Sequence, residues 1–158
     1  MNQVKPQKPL LYLDDLAVGQ RFESEKRTVS LSEMLDFAKR FDPQPFHLDE
    51  MAAKESLFKN LVASGWYTAA ITMSLLVTCG LPFAGGIIGS GGDIRWPLPV
   101  RPDDVLRVVS EIVEVRPSSS KPDRGYVVVK SETLNQQDQV VQILTARLVA
   151  ERRRVFGD

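Results

Sequence analysis

The order of elements along this chain predicts an α+β domain in which an antiparallel sheet curves round one long apolar helix. Residues Leu61 to Gly92 contain not one charged side chain, and the first part, Leu61 to Cys79, has the length of a helix. Three long amphipathic stretches at hairpin spacing follow it. Helical and strand patterns are therefore segregated rather than alternating, as in α+β architectures. An apolar helix needs cover, and a strongly curved sheet is an efficient way to give it. At 158 residues the chain has the size of one domain and can bury a full core.

Residues 1–13 are expected to form a loose arm. It opens polar, with Lys5, Lys8 and two prolines, and has no apolar segment of the secretory kind. The domain proper is expected over 14–152, with 153–158 as a tail. Asp14 to Gln20 reads as a lead-in and turn, with Gly19 supplying backbone freedom. Arg21 to Val29 reads as a strand. Ser30-Leu31-Ser32-Glu33 has the form of a capping box, and Met34, Phe37, Ala38 and Phe41 keep helical spacing after it. Pro43 biases Asp42 away from the α region, which ends this helix at about Phe41. Pro43 and Pro45 are expected to keep the segment up to His47 from being helical. Asp49 then caps a short helix through Glu55.

An apolar stretch as long as Leu61–Cys79 invites a membrane-spanning reading. Serines and threonines interrupt it, no basic cluster flanks it, and amphipathic strands continue beyond it. The expectation is a helix buried on nearly all sides by its own protein. Gly80-Leu81-Pro82 ends it. Gly85 to Gly92 reads as a flexible turn with close backbone approach, and Asp93 to Pro97 as extended. Strands are expected at Val105–Arg116, Gly125–Leu134 and Val140–Arg152, with turns at Ser118–Arg124 and Asn135–Gln139. In the last strand, Val140, Leu144, Ala146, Leu148 and Ala150 are assigned to one face.

Composition removes whole classes of function. The chain is 43% hydrophobic and 25% charged, and 20 basic residues balance 20 acidic ones. No global field draws it to nucleic acid or to an anionic membrane. The one basic cluster, Arg152-Arg153-Arg154, reads as a solvated tail. Cys79 is the only cysteine, so no intrachain disulfide forms, and a reducing, cytoplasmic setting is expected. One His and one Cys cannot build a structural zinc site or a three-histidine catalytic one, so no metal is expected. Neither a G-K-[ST] nor a G-x-G-x-x-G motif is present. Val62-Ala63-Ser64-Gly65-Trp66 is not a nucleophile elbow. Cys79, at the end of the apolar helix, reads as core.

What remains is Asp42-Pro43-Gln44-Pro45-Phe46-His47, which holds the only histidine. A carboxylate ionised at neutral pH accepts a proton from water, and an imidazole both donates and accepts. The residues alone leave two readings open: an acid/base dyad, or a turn-capping aspartate beside an ordinary buried histidine. Five extended residues span roughly 16 Å, so the loop must double back for the two to meet. Ala63-Ser64-Gly65 is the second feature. Ser64 can cap the apolar helix, leaving the Gly65 N–H free at the positive end of the macrodipole, where a developing oxyanion is stabilised. Gly65 can equally serve tight helix packing.

Phe41-Asp42-Pro43-Gln44-Pro45-Phe46-His47-Leu48-Asp49, then Ala52-Ala53 and Leu61-Val62-Ala63-Ser64-Gly65, resemble the MaoC-like family of (R)-specific enoyl-CoA hydratases and dehydratases with the hotdog fold. Ile94-Arg95-Trp96-Pro97-Leu98-Pro99-Val100-Arg101-Pro102-Asp103-Asp104 resembles the family's strand and turn after the central helix. The similarity runs from about Asp14 to Glu151, and the Asp-to-His hexapeptide is its most specific part. It implies a single hotdog domain, Asp42 and His47 as the catalytic pair, and the Gly65 amide as donor to a thioester carbonyl. Ser64 and Gln44 join Gly65 as candidate substrate-side residues. Gln44 stands where the family usually has Asn, so it carries over only as an orienting residue.

The resemblance further implies an acyl-CoA substrate, no separate cofactor, a homodimer, and no nucleic-acid or membrane partner. Phe46, Phe58, Trp66 and Tyr67 are candidates for the acyl pocket wall. The expected activity is reversible hydration of an enoyl-CoA to a 3-hydroxyacyl thioester. The alternatives are a hotdog acyl-CoA thioesterase and a non-catalytic acyl-thioester-binding subunit. Many hotdog thioesterases carry a carboxylate on the central helix. Leu61–Cys79 has none, which favours the loop-borne dyad.

Overall fold

Alternation of apolar and polar side chains along three long strands sets the frame of the molecule. The computed structural model describes residues 9–154. Its strands are β1 (Arg21–Glu23), β2 (Arg27–Thr28), β3 (Ile88–Arg95), β4 (Val105–Pro117), β5 (Arg124–Leu134) and β6 (Val140–Glu151). They form one antiparallel sheet of order β1-β4-β5-β6-β3, with β2 also on β4. Leu106, Val108 and Ile112 of β4, with Val127 and Val129 of β5, point to one face and are fully buried. Each contributes about 1.5–3 kcal/mol by leaving water. Against them packs α4 (Gly65–Leu75), through Tyr67, Ile71 and Leu75 in the same core cluster. The sheet wrapped on a central helix is the expected α+β architecture.

The helices before α4 are α1 (Leu31–Phe41), α2 (Pro45–Leu48) and α3 (Glu50–Glu55). Ser30 caps α1 by accepting from the Glu33 N–H, and Asp49 caps α3 by accepting from the Ala52 N–H. The Glu33 side chain does not complete a capping box. It accepts from Arg27 and from the Tyr67 hydroxyl instead, because α4 brings a stronger donor within reach. The strand expected over Arg21–Val29 is broken into β1 and β2, both paired with β4.

Several expectations are corrected. Three residues of the prolyl segment, Pro45 to His47, are helical, because Pro45 occupies the first position of α2, where a missing N–H costs nothing. Residues 1–8 and 155–158 lie outside the described residues. The arm expected to run to residue 13 is anchored by then: Leu11 exchanges backbone hydrogen bonds with Pro82 and Ala84, and Leu13 is buried. Arg152 and Arg153 are likewise held, on Asp14 and Asp15, rather than trailing in solvent. The glycine-rich stretch is only partly a turn. Gly85 and Gly86 take positive φ there, but Gly89, Gly91 and Gly92 belong to β3, where a Cβ on Gly92 would stand 2.7 Å from the Thr145 carbonyl oxygen.

The regular part of α4 stops at Leu75 and widens into a π turn over Leu76–Gly80. There Thr78 and Cys79 donate side-chain hydrogen bonds to the carbonyls of Ser74 and Leu75. The uncharged helix is not buried all round. Trp66, Ala70, Met73 and Val77 form an exposed stripe, because sheet and α1 cover only the other faces. Among the described residues no helix is long and apolar enough to cross a membrane. Finally, a bulge where Thr133 and Leu134 face Gln142 and Val140 changes the phase of β6. Val141 and Gln142 are both buried there, and Val140 is not on the core face of Ala146, Leu148 and Ala150.

Candidate active site

Asp42 terminates α1, with its N–H bonded to the Ala38 carbonyl, and its own carbonyl accepts from the Gln44 N–H at 2.7 Å. That tight reversal leads straight into the single turn α2. One turn of helix then returns His47 toward the residue that began the loop. His47 Nε2 lies 3.2 Å from Asp42 Oδ2, with the imidazole buried. The chain doubles back by a turn followed by a helix, not by an extended proline path.

The partners of the two groups fix their states. His47 Nδ1 lies 2.8 Å from the Val62 carbonyl oxygen. A carbonyl only accepts, so Nδ1 carries the proton, and Nε2 is the atom presented to Asp42. Asp42 Oδ2 accepts from the Ser64 hydroxyl at 2.6 Å and Oδ1 accepts from the Gln44 amide at 2.7 Å. Burial pushes the Asp42 carboxyl up. The Ser64 hydroxyl, the Gln44 amide and His47 together outweigh it and hold the group below its ordinary value. Ser64 has a second duty, since its oxygen accepts from the Trp66 N–H and caps α4.

Gly65 is the first residue of α4, so its N–H precedes the intrahelical ladder. It faces the indole of Trp96 so closely that an added Cβ would lie 2.7 Å from Trp96 Cε2. Asp42, Gln44, His47, Gly65 and Trp96 all line one cavity of about 440 Å³, within the usual range for a ligand pocket. Its apolar walls include Phe46, Phe58, Trp66 and Leu98. The structure thus brings Asp42, His47, Gln44 and Gly65 together, with Ser64 behind Asp42 rather than on the cavity wall.

Of the four aromatic residues considered for the acyl wall, Tyr67 lies elsewhere. Its phenol donates to Glu33, and burial together with that carboxylate pushes it up to about 12. Among the described residues no group of three His, Cys, Asp or Glu side chains could hold a metal.

Sequence reasoning gave no role to Trp96, Gln142, Thr72 or Thr133. Trp96 Nε1 donates to Gln142 Oε1 at 2.9 Å, Gln142 Nε2 donates to Thr72 Oγ1 at 3.0 Å, and Thr72 and Thr133 hydroxyls meet at 2.6 Å. The available signal was Gln142 itself: an amide between Val140 and Leu144, on positions assigned to an apolar face.

The profile of the family described as "MaoC like domain" matches residues 15–135. Among solved structures, a MaoC-like dehydratase from Rhodospirillum rubrum is 55% identical, superposes with a TM-score of 0.90, and aligns over 92% of this chain and 99% of its own. The unliganded (R)-hydratase PhaJ1 from Pseudomonas aeruginosa is 26% identical with a TM-score of 0.71, over 93% of this chain and 92% of its own. The uncharacterized protein YdeM of Bacillus subtilis (strain 168) is 33% identical over 129 residues, which is 80% of this chain and 89% of that protein.

Proposed function

The chain belongs to the MaoC-like dehydratase family with its hotdog fold, and from that premise we propose that it reversibly hydrates a trans-2-enoyl-CoA, or a related acyl thioester, to a 3-hydroxyacyl thioester. The observation that carries this reading is the 3.2 Å approach of His47 Nε2 and Asp42 Oδ2 at a cavity also lined by Gly65, the first residue of α4.

With Nδ1 turned to the Val62 carbonyl, His47 presents Nε2 beside the Asp42 carboxylate, and a water held by these two groups is the reacting one. The dyad takes the departing proton as the water oxygen bonds to C3. The C2–C3 π pair moves to C2 and the thioester carbonyl, and the dyad returns a proton to C2. Proton and electron counts close without another group, and CoA enters only as part of the substrate. The Gly65 N–H, at the helix tip, faces the thioester oxygen as negative charge develops on it. Such a donor is worth about 3–4 kcal/mol.

The exposed stripe on α4 and the edge strand β3, which among the described residues pairs only with β6, support a homodimer. Sedimentation of the wild-type protein as a monomer would remove that part of the reading. For the chemistry, loss of enoyl-thioester absorbance with crotonyl-CoA is expected from wild type and not from Asp42→Asn. Release of free thiol from saturated acyl-CoA would make it a thioesterase, and tight enoyl-CoA binding without absorbance loss would make it a binding subunit.

A further inference from the structure

The geometry points to Trp96 as the residue that selects the acyl group, held in place by Gln142 of β6. This deepens the hydration reading and rests on it. Trp96 is partly exposed, so core burial does not account for it. Its indole lies against Gly65, the residue whose amide faces the thioester oxygen in the scheme above, and it packs edge-on with Trp66, the rings 5.2 Å apart. A group seated at the helix tip therefore lies beside that ring.

The indole is anchored by a built relay. An indole N–H only donates, which fixes the Gln142 oxygen toward Trp96 and its nitrogen toward Thr72. Thr72 then has its own proton for Thr133. Gln142, Thr72 and Thr133 are fully buried. Burying a primary amide in a sheet-and-helix core is costly unless it is hydrogen-bonded, and here its oxygen and its nitrogen each have a partner, which specifies one indole orientation. The bulge in β6 is what turns Gln142 inward. Trp96 is therefore a fixed wall of the cavity, and the acyl group accepted is the one that fits beside it.

The test measures kcat/KM for crotonyl-CoA and for trans-2-octenoyl-CoA in wild type, Trp96→Ala, Trp96→Phe and Gln142→Leu, with thermal unfolding of each. The ratio of octenoyl to crotonyl turnover is expected to rise at least tenfold in Trp96→Ala. In Gln142→Leu, where the indole is freed but kept, a smaller shift in the same direction is expected. Trp96→Phe, which keeps a ring but no N–H, should behave like Gln142→Leu, and it stands in if Trp96→Ala does not fold. A ratio unchanged in cooperatively folding variants, or an equal loss on both substrates, overturns the assignment.

Binding of butyryl-CoA and octanoyl-CoA is followed in parallel through tryptophan emission in a Trp66→Phe background, where Trp96 is the sole reporter. Adding Gln142→Leu there should shift both the emission and the preference between the two ligands. If wild type hydrates neither enoyl-CoA and this binding preference still shifts, the hydration reading falls and the role of Trp96 stands. If hydration proceeds and neither preference moves, the role of Trp96 falls alone.

Discussion

Two hydrogen-bonded clusters meet at the same cavity and are built on opposite plans. At the front, Gln44, His47 and Ser64 surround the ionised Asp42 carboxylate. At the back, Gln142, Thr72 and Thr133 form a neutral chain sealed from solvent that ends on the Trp96 indole. The front cluster lines the open cavity with Asp42 and His47, their facing atoms 3.2 Å apart. The back cluster turns both ends of its amide to protein partners. The contrast separates two uses of buried polarity: a group meant to react opens to a cavity, whereas a group meant to position is held from both ends.

The largest expected effect breaks the front cluster. Replacing either Asp42 or His47 by Asn should lower kcat on crotonyl-CoA by about 10²–10⁴-fold, the range for a positioned acid/base, while the protein still unfolds cooperatively. Because the two groups share one water in the proposed scheme, the double variant should lose little more than the worse single one. Multiplicative losses would mean that they act independently, and the shared-water scheme would be wrong.

The next effect tests where the two clusters touch. Gly65→Ala forces the Trp96 ring to move, since the new methyl would lie within 2.8 Å of two of its atoms. Overpacking of this kind costs about 1–3 kcal/mol, read from urea unfolding midpoints. In a Trp96→Ala background the same substitution should be nearly free, which is the signature of direct coupling in a double-mutant cycle. Equal costs in both backgrounds would show that the glycine is required by something other than the indole.

Thr133→Val sharpens the comparison from the far end of the back cluster. It keeps the volume and removes the hydroxyl that meets Thr72, leaving a buried group short of a partner. A loss of about 1–3 kcal/mol in unfolding free energy is expected. A stability equal to wild type would mean that the Thr72 hydroxyl does not depend on Thr133 for its partner.

The same contrast explains what could be read before any coordinates. The front cluster is local: His47 follows Asp42 by five residues and Ser64 follows it by 22. A hexapeptide pattern and a helix cap therefore expose it. The back cluster joins residues 46, 61 and 70 positions apart, and no sequence period links a threonine on α4 to a glutamine on β6. The three long strands were legible within one or two residues because alternation is local too. Strand phase at Val140 was not, since a bulge leaves no periodic trace. The exposed stripe on α4 was missed for a different reason. A helix without charges reads as buried whether its cover comes from its own chain or from another.

Ser64→Ala is the smallest and most discriminating case, because Ser64 belongs to the front cluster and to the frame of α4 at once. Losing the cap costs about 1 kcal/mol at any pH. Losing the donor to Asp42 adds a part that depends on pH. The folded Asp42 carboxyl lies below its ordinary value of 3.8. Its contribution is therefore full above that value and is lost as pH falls through the lower folded pKa. Without the Ser64 hydroxyl the carboxyl rises, since burial still pushes it up and one opposing partner is gone. The stability gap between wild type and Ser64→Ala should thus be widest near neutrality and narrow below about pH 4, toward the cap contribution alone. Carboxyl chemical shifts followed through an acid titration would give the Asp42 pKa directly, and it should move upward in the variant. A gap that stays constant with pH, with an unmoved carboxyl, would mean that Ser64 serves only the helix and that Asp42 owes its ionisation to Gln44 and His47.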